Sequence, residues 1–448
     1  MDISTLIPSF GSGALTVIWF VVALSIIVAI HEYGHYIVGR WSGIGADVFS
    51  IGFGPVLWSR VDKRGTQWQI AAIPLGGYVK FKGDANAASG KDGEAMGEMD
   101  ESELRHTMHG APLWARASTV LAGPVFNFIL SILIFAGVMM FNGQVGDKLI
   151  VGQVWDLPNA PYELQQGDVV LAIDGQRIPS FDDPEAFDGF VQGMSKTDPL
   201  RYLVDRNGAE MEVSGPYLYP PIVLSLAPRS AAYNAGLEVG DVFTAIDGAP
   251  IVAFSQLKDA VETGNGRTLE LSVSRDGVTQ PFALSPRRVD EPQADGGFVT
   301  NWRIGIGGGL AFEPATETLG VGDAMTAGVR QTGRIMEGSI SGLYHMITGA
   351  ISSCNLSGPV GIAQTSAAMA SQGTQSFIWF IAVLSTAIGL LNLFPIPMLD
   401  GGHLVFYAYE AVVGKPPADG VVRVLMTIGL TLVLGMMAFG LTNDLFCP

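Results

Sequence analysis

His31-Glu32-Tyr33-Gly34-His35 stands at the end of a long apolar stretch, because no Asp, Glu, Lys or Arg occurs between Ile3 and Ile30. On a helix, residues i and i+4 share one face, so both imidazoles of this His-Glu-x-x-His pattern can approach the same ion. Ionisable groups inside an apolar helix cost about 2.5 to 3.5 kcal/mol each on insertion scales, so we expect them to share a partner. The stretch predicts a metal site on a membrane helix.

The rest of the chain is also apolar, since 48% of its 448 residues are hydrophobic and only 15% are charged. A helix needs about 20 apolar residues to cross a bilayer. Uncharged runs of that length predict four transmembrane spans, near residues 14–38, 117–141, 376–395 and 423–442. A signal peptide is the weaker alternative for the first run, which is too long and is preceded by Asp2 without any Lys or Arg.

Lysine and arginine are distributed unevenly among the short segments. Nine lie from Arg40 to Arg116, and Lys415 and Arg423 lie between the third and fourth spans, whereas the two tails have none. By the positive-inside rule both of these loops are cytoplasmic. Four crossings then place both termini and residues 142–375 on the periplasmic side.

Charge and cysteine content exclude two classes of protein. The net charge of −17 argues against a nucleic-acid partner, because the phosphate backbone favours basic surfaces. Cys354 and Cys447 are too few and too far apart for a disulfide framework, although a periplasmic location would permit one bridge. We expect both to be ordinary buried thiols.

A nine-residue pattern occurs twice in the predicted periplasmic segment, at Gly167–Gly175 and at Gly240–Gly248. Each copy predicts a strand, an Asp-Gly turn, a helix and a later strand pair. The helix is expected to open after Phe181 or Phe254. The pattern resembles tandem PDZ domains, most closely in the second copy around Ser230-Ala231-Ala232.

The first copy departs from the PDZ pattern, because Asn159-Ala160-Pro161-Tyr162-Glu163 stands where small residues are expected. A PDZ groove binds peptides by adding a strand to its sheet. Fold does not fix function, so peptide binding and a role as spacers or steric gates both remain open.

The metal site needs a third ligand, since a catalytic zinc usually has three protein ligands and one open position. His31 falls about 25 Å along its span, near the cytoplasmic face, which the third span also reaches. That span ends in Asn392-Leu393-Phe394-Pro395-Ile396-Pro397-Met398-Leu399-Asp400-Gly401-Gly402. We expect it to unwind there, because the prolines forbid regular helix and the glycines permit a bend. Asp400 is the predicted ligand, and His403 is a competitor or an orienting group.

Together, the two motifs closely resemble those of the site-2 protease family, intramembrane zinc metalloproteases, in its bacterial RseP type. Further matching segments are Gly52–Pro55, Pro74–Lys80, Gly123–Asn127 and Ser357–Gly361. The resemblance implies one Zn²⁺ per chain, held by His31, His35 and Asp400, with Glu32 as the general base. It also implies a role in substrate or intermediate binding for Asn392, Asn127, Pro395 and Pro397.

Two further segments have predicted roles near the membrane. Residues 48–58 and 67–81 read as strands joined by a turn at Asp62-Lys63-Arg64-Gly65. Such a hairpin either dips into the interface and pairs with an unwound substrate or is a simple surface hairpin. Residues 320–370 read as helices on the outer interface, or packed against the PDZ pair.

The expected fold is a polytopic α-helical membrane protein with four transmembrane helices, a cytoplasmic membrane-associated β-region and two tandem periplasmic PDZ (α+β) domains. Its expected segments are the first span with the histidine motif (1–40), the cytoplasmic loop with the hairpin (41–116), the second span (117–141), PDZ domain 1 (142–215), PDZ domain 2 (216–290), a periplasmic linker with interfacial helices (291–375), the third span (376–402), and a cytoplasmic loop, fourth span and tail (403–448).

The expected function is cleavage of transmembrane segments in the inner membrane. By resemblance, the partners are membrane lipids, a single-pass anti-sigma factor already cut in the periplasm, and signal-peptide remnants. One rival is a catalytically inert PDZ scaffold. A zinc transporter is a second rival, but the ionisable groups gather at one end of the spans and form no polar track through the bilayer.

Overall fold

The structure is a computed structural model that describes residues 6–86, 90, 92–146, 148–158, 161–179, 184–293 and 297–447. Asn159, Ala160 and Phe181 lie outside these residues. The α-helices are α1 (Leu6–Trp41), α2 (Gly93–Gly97), α3 (Glu101–Leu104), α4 (Leu113–Asn142), α5 (Pro184–Gly193), α6 (Ala231–Asn234), α7 (Phe254–Thr263), α8 (Val321–Ile347), α9 (Pro359–Ser371), α10 (Thr374–Asn392), α11 (Asp400–Val413) and α12 (Asp419–Phe446).

The strands are mostly short, and the two longest come first. They are β1 (Ala46–Val61), β2 (Gln67–Phe81), β3 (Gln144–Val145), β4 (Val151–Val154), β5 (Val169–Ile173), β6 (Gln176–Arg177), β7 (Leu200–Arg206), β8 (Ala209–Gly215), β9 (Ser225–Leu226), β10 (Val242–Ile246), β11 (Ala249–Pro250), β12 (Leu269–Arg275), β13 (Val278–Leu284), β14 (Arg287–Pro292), β15 (Phe298–Arg303), β16 (Ile306–Gly307), β17 (Phe312–Pro314) and β18 (Thr316–Glu317).

Four of the described helices are long and apolar enough to cross a membrane. These segments are Gly13–Trp41, Leu113–Asn142, Thr374–Asn392 and Asp419–Phe446. They agree with the four predicted spans, and the chain is a membrane protein. The third helix ends at Asn392, three residues before the predicted end, because Pro395 and Pro397 follow it.

The chain divides into two compact units, and the first contains α1, α10, α12 and all but the last four residues of α4. It comprises residues 1–138, 324–349 and 353–447. Within it α1 packs against α9, α10 and β2. Close contact between α1 and α4 depends on Gly34, because a Cβ at that position would lie 2.6 Å from the carbonyl oxygen of Ala122. The α1 helix is therefore surrounded on several sides by protein.

Strands β1 and β2 pair in antiparallel order and form the hairpin that the sequence predicts between the first two spans. Its turn is fixed by Asp62, whose Oδ1 accepts hydrogen bonds from the backbone amides of Arg64 and Thr66. Its base packs into a core with α1 and α4 through Phe49 and Phe81. Large apolar side chains away from the base are exposed, including Phe53, Val56, Leu57, Trp58, Ile70 and Ile73.

The second unit, residues 139–323 with 350–352, contains the internal repeat. Two four-stranded antiparallel sheets have equivalent strand orders, β6-β5-β7-β8 and β11-β10-β12-β13. In each copy the elements follow the same order along the chain: a five-residue strand, a two-residue strand, a helix and a hairpin. The duplication seen in the sequence is thus a duplication of structure.

An ion pair between a buried aspartate and a partly exposed arginine occupies the same place in both copies. Asp168 accepts two hydrogen bonds of 2.7 Å from Arg206, and Asp241 accepts two of 2.7 Å from Arg275. Both carboxylates are 1% exposed. Each pair therefore joins the start of one strand to the end of the next antiparallel strand.

Two expectations are wrong. Gly401 and Gly402 do not form the predicted bend but are buried in the first turn of the helix α11. They permit close backbone approach and make no bend, since Cβ atoms there would lie 2.2 and 2.5 Å from the carbonyl oxygens of Phe394 and Ile396. Cys354 and Cys447 are not free thiols but form a disulfide.

Candidate active site

The histidine motif lies within the unbroken helix α1, so the two imidazoles project from one face. The Nε2 atoms of His31 and His35 are 3.1 Å apart. Asp400 begins α11 and places its Oδ2 atom 3.2 Å from His31 Nε2 and 3.5 Å from His35 Nε2. The structure therefore brings the three predicted ligands into one cluster, although 364 residues lie between His35 and Asp400.

The second apolar helix, α4, forms one wall of this cluster. Gly123 faces the imidazoles, and a Cβ there would lie 2.3 Å from His35 Nε2 and 2.8 Å from His31 Cε1. One turn earlier, the carbonyl oxygen of Thr119 lies 2.9 Å from His35 Nδ1. The absence of a side chain at Gly123 thus lets both rings lie directly against the α4 backbone.

Asn127 contacts the ring of His31, a contact that the sequence did not predict. Its side-chain amide lies 3.2 Å from His31 Nδ1, and the residue is fully buried. The hydroxyls of Ser131 and Ser385 both lie 2.9 Å from its backbone oxygen. Spacing along α4 is the signal that could have indicated this contact, because Gly123 and Asn127 share one helix face.

Glu32 lies beside β2, the second strand of the hairpin. The backbone amide of Val79 forms a hydrogen bond with its carboxylate. A Cβ at Gly77 would lie 3.2 Å from Glu32 Cγ and 2.8 Å from the carbonyl oxygen of Ser50. The strand therefore approaches the acid of the motif closely enough to hold it in position.

Asp400 is held by the irregular segment between α10 and α11. This segment packs against α12, where a Cβ at Gly429 would lie 1.7 Å from the carbonyl oxygen of Pro397. Pro395 in the same segment is exposed. Asn392 donates a hydrogen bond of 3.0 Å to the carbonyl oxygen of Ile388 within its own helix.

His403 is not part of the cluster. Among the described residues, the group that could hold a metal ion consists of His31, His35 and Asp400, whose ligand atoms lie within 4.8 Å of one another. The ring of His403 instead packs edge-on against Phe406.

The donor set of the cluster fits zinc. Within the described part of the chain, Asp400 Oδ2 is buried and accepts no well-formed hydrogen bond, although both histidine nitrogens are close. A buried oxygen without a donor needs an explanation, and a metal ion would supply its partner. Two imidazole nitrogens and one carboxylate oxygen form a donor set found at catalytic zinc sites, where the fourth position is left for water.

Comparison with known proteins identifies the family. Residues 19–436 match the model of Peptidase family M50. The chain belongs to peptidase family M50. The resemblance to site-2 proteases inferred from the two motifs is thereby confirmed.

Relatives of this M50 peptidase align with it along almost their entire length. A protein of Agrobacterium fabrum, whose name designates it a predicted zinc metalloprotease, is 36% identical over 438 residues, 97% of each chain. The regulator of sigma-E protease RseP of Salmonella typhimurium is 31% identical over 463 residues, 96% of this chain and 99% of that one. This M50 peptidase is therefore a zinc metalloprotease.

Proposed function

We propose that this M50 peptidase hydrolyses peptide bonds inside the transmembrane segments of other membrane proteins, with one Zn²⁺ held by His31, His35 and Asp400. One observation carries the proposal: two of these ligands lie on a helix apolar enough to cross a bilayer, and the third begins the helix that follows another such span. A protease centre built from such elements is reached by substrates that are themselves in the membrane.

In the proposed mechanism Glu32 is the general base. It accepts a proton from the water that attacks the scissile carbonyl and later donates that proton to the leaving amine. Zinc, when bound, supplies Lewis-acid chemistry that polarises the carbonyl and lowers the pKa of water. Val79 supports this role, because its backbone amide donates a hydrogen bond to the Glu32 carboxylate and helps to orient it.

The hairpin of β1 and β2 is proposed to receive the substrate. A transmembrane helix hides its peptide bonds in internal hydrogen bonds, so it must unwind before attack. The exposed apolar side chains of the hairpin, such as Phe53 and Ile73, suit contact with lipid and with an extended peptide. The close approach of β2 to Glu32 means that a chain lying along this hairpin would pass near the base.

The two repeated modules are proposed to be periplasmic PDZ domains, covering residues 142–215 and 216–290. Their duplicated sheets and helices support this assignment. We also propose that the enzyme lies in the inner membrane, with both termini in the periplasm and the active site near the cytoplasmic face. Asn392, Asn127, Pro395 and Pro397 are proposed to line the path of the substrate or intermediate.

The proposed substrates are a single-pass anti-sigma factor already cut in the periplasm, and signal-peptide remnants. The name of the Salmonella relative, regulator of sigma-E protease, supports the first of these. Lipids are proposed to surround the enzyme, and the PDZ pair is proposed to exclude substrates with a bulky periplasmic part.

The experiment compares membrane peptides from cells that contain the intact enzyme or the Glu32→Gln variant. We expect the variant to bind zinc as the intact enzyme does and to leave transmembrane substrates uncut, so that these accumulate. Equal peptide populations in the two strains, with both proteins zinc-loaded, would contradict the proposal and favour the inert scaffold.

A further inference from the structure

Asn127 faces the ring nitrogen of His31 that a metal would not use. In the cluster, the Nε2 atoms of both histidines point toward Asp400, so Nε2 is the atom that would bind zinc in each ring. A neutral imidazole that binds metal through Nε2 carries its hydrogen on Nδ1. Each Nδ1 then becomes a donor and requires an acceptor.

For His35 the acceptor is in place, because the carbonyl oxygen of Thr119 lies 2.9 Å from Nδ1. For His31 the facing atom is Asn127 Nδ2, at 3.2 Å. An amide nitrogen only donates, so this contact suits the tautomer with its hydrogen on Nε2 and not the metal-binding one. The amide oxygen, Oδ1, is buried and has no hydrogen-bond partner among the described residues.

A half-turn of the Asn127 amide gives His31 Nδ1 an acceptor and gives Asn127 Oδ1 a donor. The two orientations of an amide are nearly equivalent in shape, and the hydrogen-bond network decides between them. We infer that Asn127 presents Oδ1 to the Nδ1 hydrogen of His31 and fixes that ring for zinc binding. The inference rests on the proposed zinc site and makes Asn127 a positioning residue for His31.

The surroundings of Asn127 suit such a role. Its backbone oxygen accepts hydrogen bonds of 2.9 Å from the hydroxyls of Ser131 on α4 and Ser385 on α10. The bond from Ser385 ties this part of α4 to α10. Thr119 and Asn127 are two helical turns apart on α4, and each serves one of two histidines that are one turn apart on α1. The helix α4 thus orients both rings, one with a backbone oxygen and the other with a side chain.

The test measures zinc affinity by competition with a chelator, using the full-length protein purified in detergent. Asn127→Ala removes the acceptor, whereas Asn127→Asp keeps a carboxylate oxygen at the same reach. Partners of this kind typically contribute 10- to 100-fold to metal affinity. We expect a loss of about that size in Asn127→Ala and an affinity within a few fold of wild type in Asn127→Asp.

Asn443→Ala is the matched control, because this buried asparagine donates its amide hydrogen bonds to the carbonyl oxygens of Ser353 and Leu356, and the zinc affinity of the variant should equal that of wild type. If Asn127→Ala binds zinc as tightly as wild type, or if Asn127→Asp loses as much affinity as Asn127→Ala, the inference is overturned. Failure of the proposed zinc site looks different: there, Asp400→Ala would bind zinc as tightly as wild type.

Discussion

Individual side chains explain why the two histidines lie against α4. The sequence predicts which residues carry the chemistry. The spacing of His31 and His35 follows the helical repeat, and ionisable residues are conspicuous in an apolar helix because they are costly there. It does not predict what surrounds them. The requirement for glycine at residue 123 depends on how closely α1 and α4 approach, and no local pattern encodes that distance.

Gly123→Ala should displace the imidazoles, since the added Cβ would lie 2.3 Å from His35 Nε2. We expect cleavage to fall by about 100-fold, the size of effect that a shift of about 1 Å can have at a catalytic centre. Gly137→Ala is the control on the same helix, because a Cβ there meets nothing within 4 Å. Cleavage rates of a model transmembrane substrate check both variants, and equal rates would contradict this account.

Helices and strands differ in how well the sequence defines them. The hairpin of β1 and β2 and the duplicated sheets follow from alternation and turn signals that act within a few residues. The helix α11 was missed because Gly401 and Gly402 indicate a bend when only local propensity is considered. Their real role is tertiary, since they let the first turn of α11 approach the backbone of the preceding segment.

The support that α12 gives to the segment before Asp400 can be tested at Gly429. Its replacement by alanine would force apart α12 and Pro397, whose carbonyl oxygen lies 1.7 Å from the expected Cβ. Overpacking of this kind costs about 1–3 kcal/mol. We expect a lower melting temperature and weaker zinc binding in detergent. Gly435→Ala, which meets open space on the same helix, should leave both unchanged.

The first repeated sheet should be sensitive to acid through Asp168. Burial alone would raise the pKa of Asp168, but hydrogen bonds from Arg206 and the Gln165 amide outweigh it and hold the pKa below its usual range. The pair therefore stabilises the sheet at neutral pH, and the stabilisation is lost as the pH falls below about 4, toward the lower folded-state pKa.

Asp168→Asn should accordingly increase amide hydrogen exchange in β5 and β7 at pH 7. The difference from wild type should shrink below about pH 4, after correction for intrinsic exchange rates. Asp205→Asn serves as the control, because the hydrogen bond that Asp205 accepts from the Gly208 amide is exposed. A variant difference that stays constant with pH would assign the effect to packing alone.

The disulfide bears on how the entire chain is arranged across the membrane. Cys354 and Cys447 are 93 residues apart, and α10 and α12, two of the four apolar helices, lie between them. An even number of crossings returns the chain to the same side, so a bridge is compatible with the predicted topology. Sequence reasoning missed the pair because distance along the chain says nothing about distance in space.

The topology predicts that both cysteines face the periplasm. After mild reduction of intact cells, a membrane-impermeant maleimide should label both residues, and without reduction it should label neither. A single cysteine introduced at Lys63, in the predicted cytoplasmic hairpin turn, should react only after permeabilisation. Labelling of Cys354 and Cys447 only in permeabilised cells would reverse the assigned orientation.

The most direct measurement is the zinc content of the purified full-length protein, beside that of Asp400→Ala. We expect about one zinc ion per chain in wild type and almost none in the variant, because removal of one of three protein ligands from such a site abolishes tight binding. A correctly folded wild-type protein without zinc, or an Asp400→Ala variant that retains one ion per chain, would contradict it.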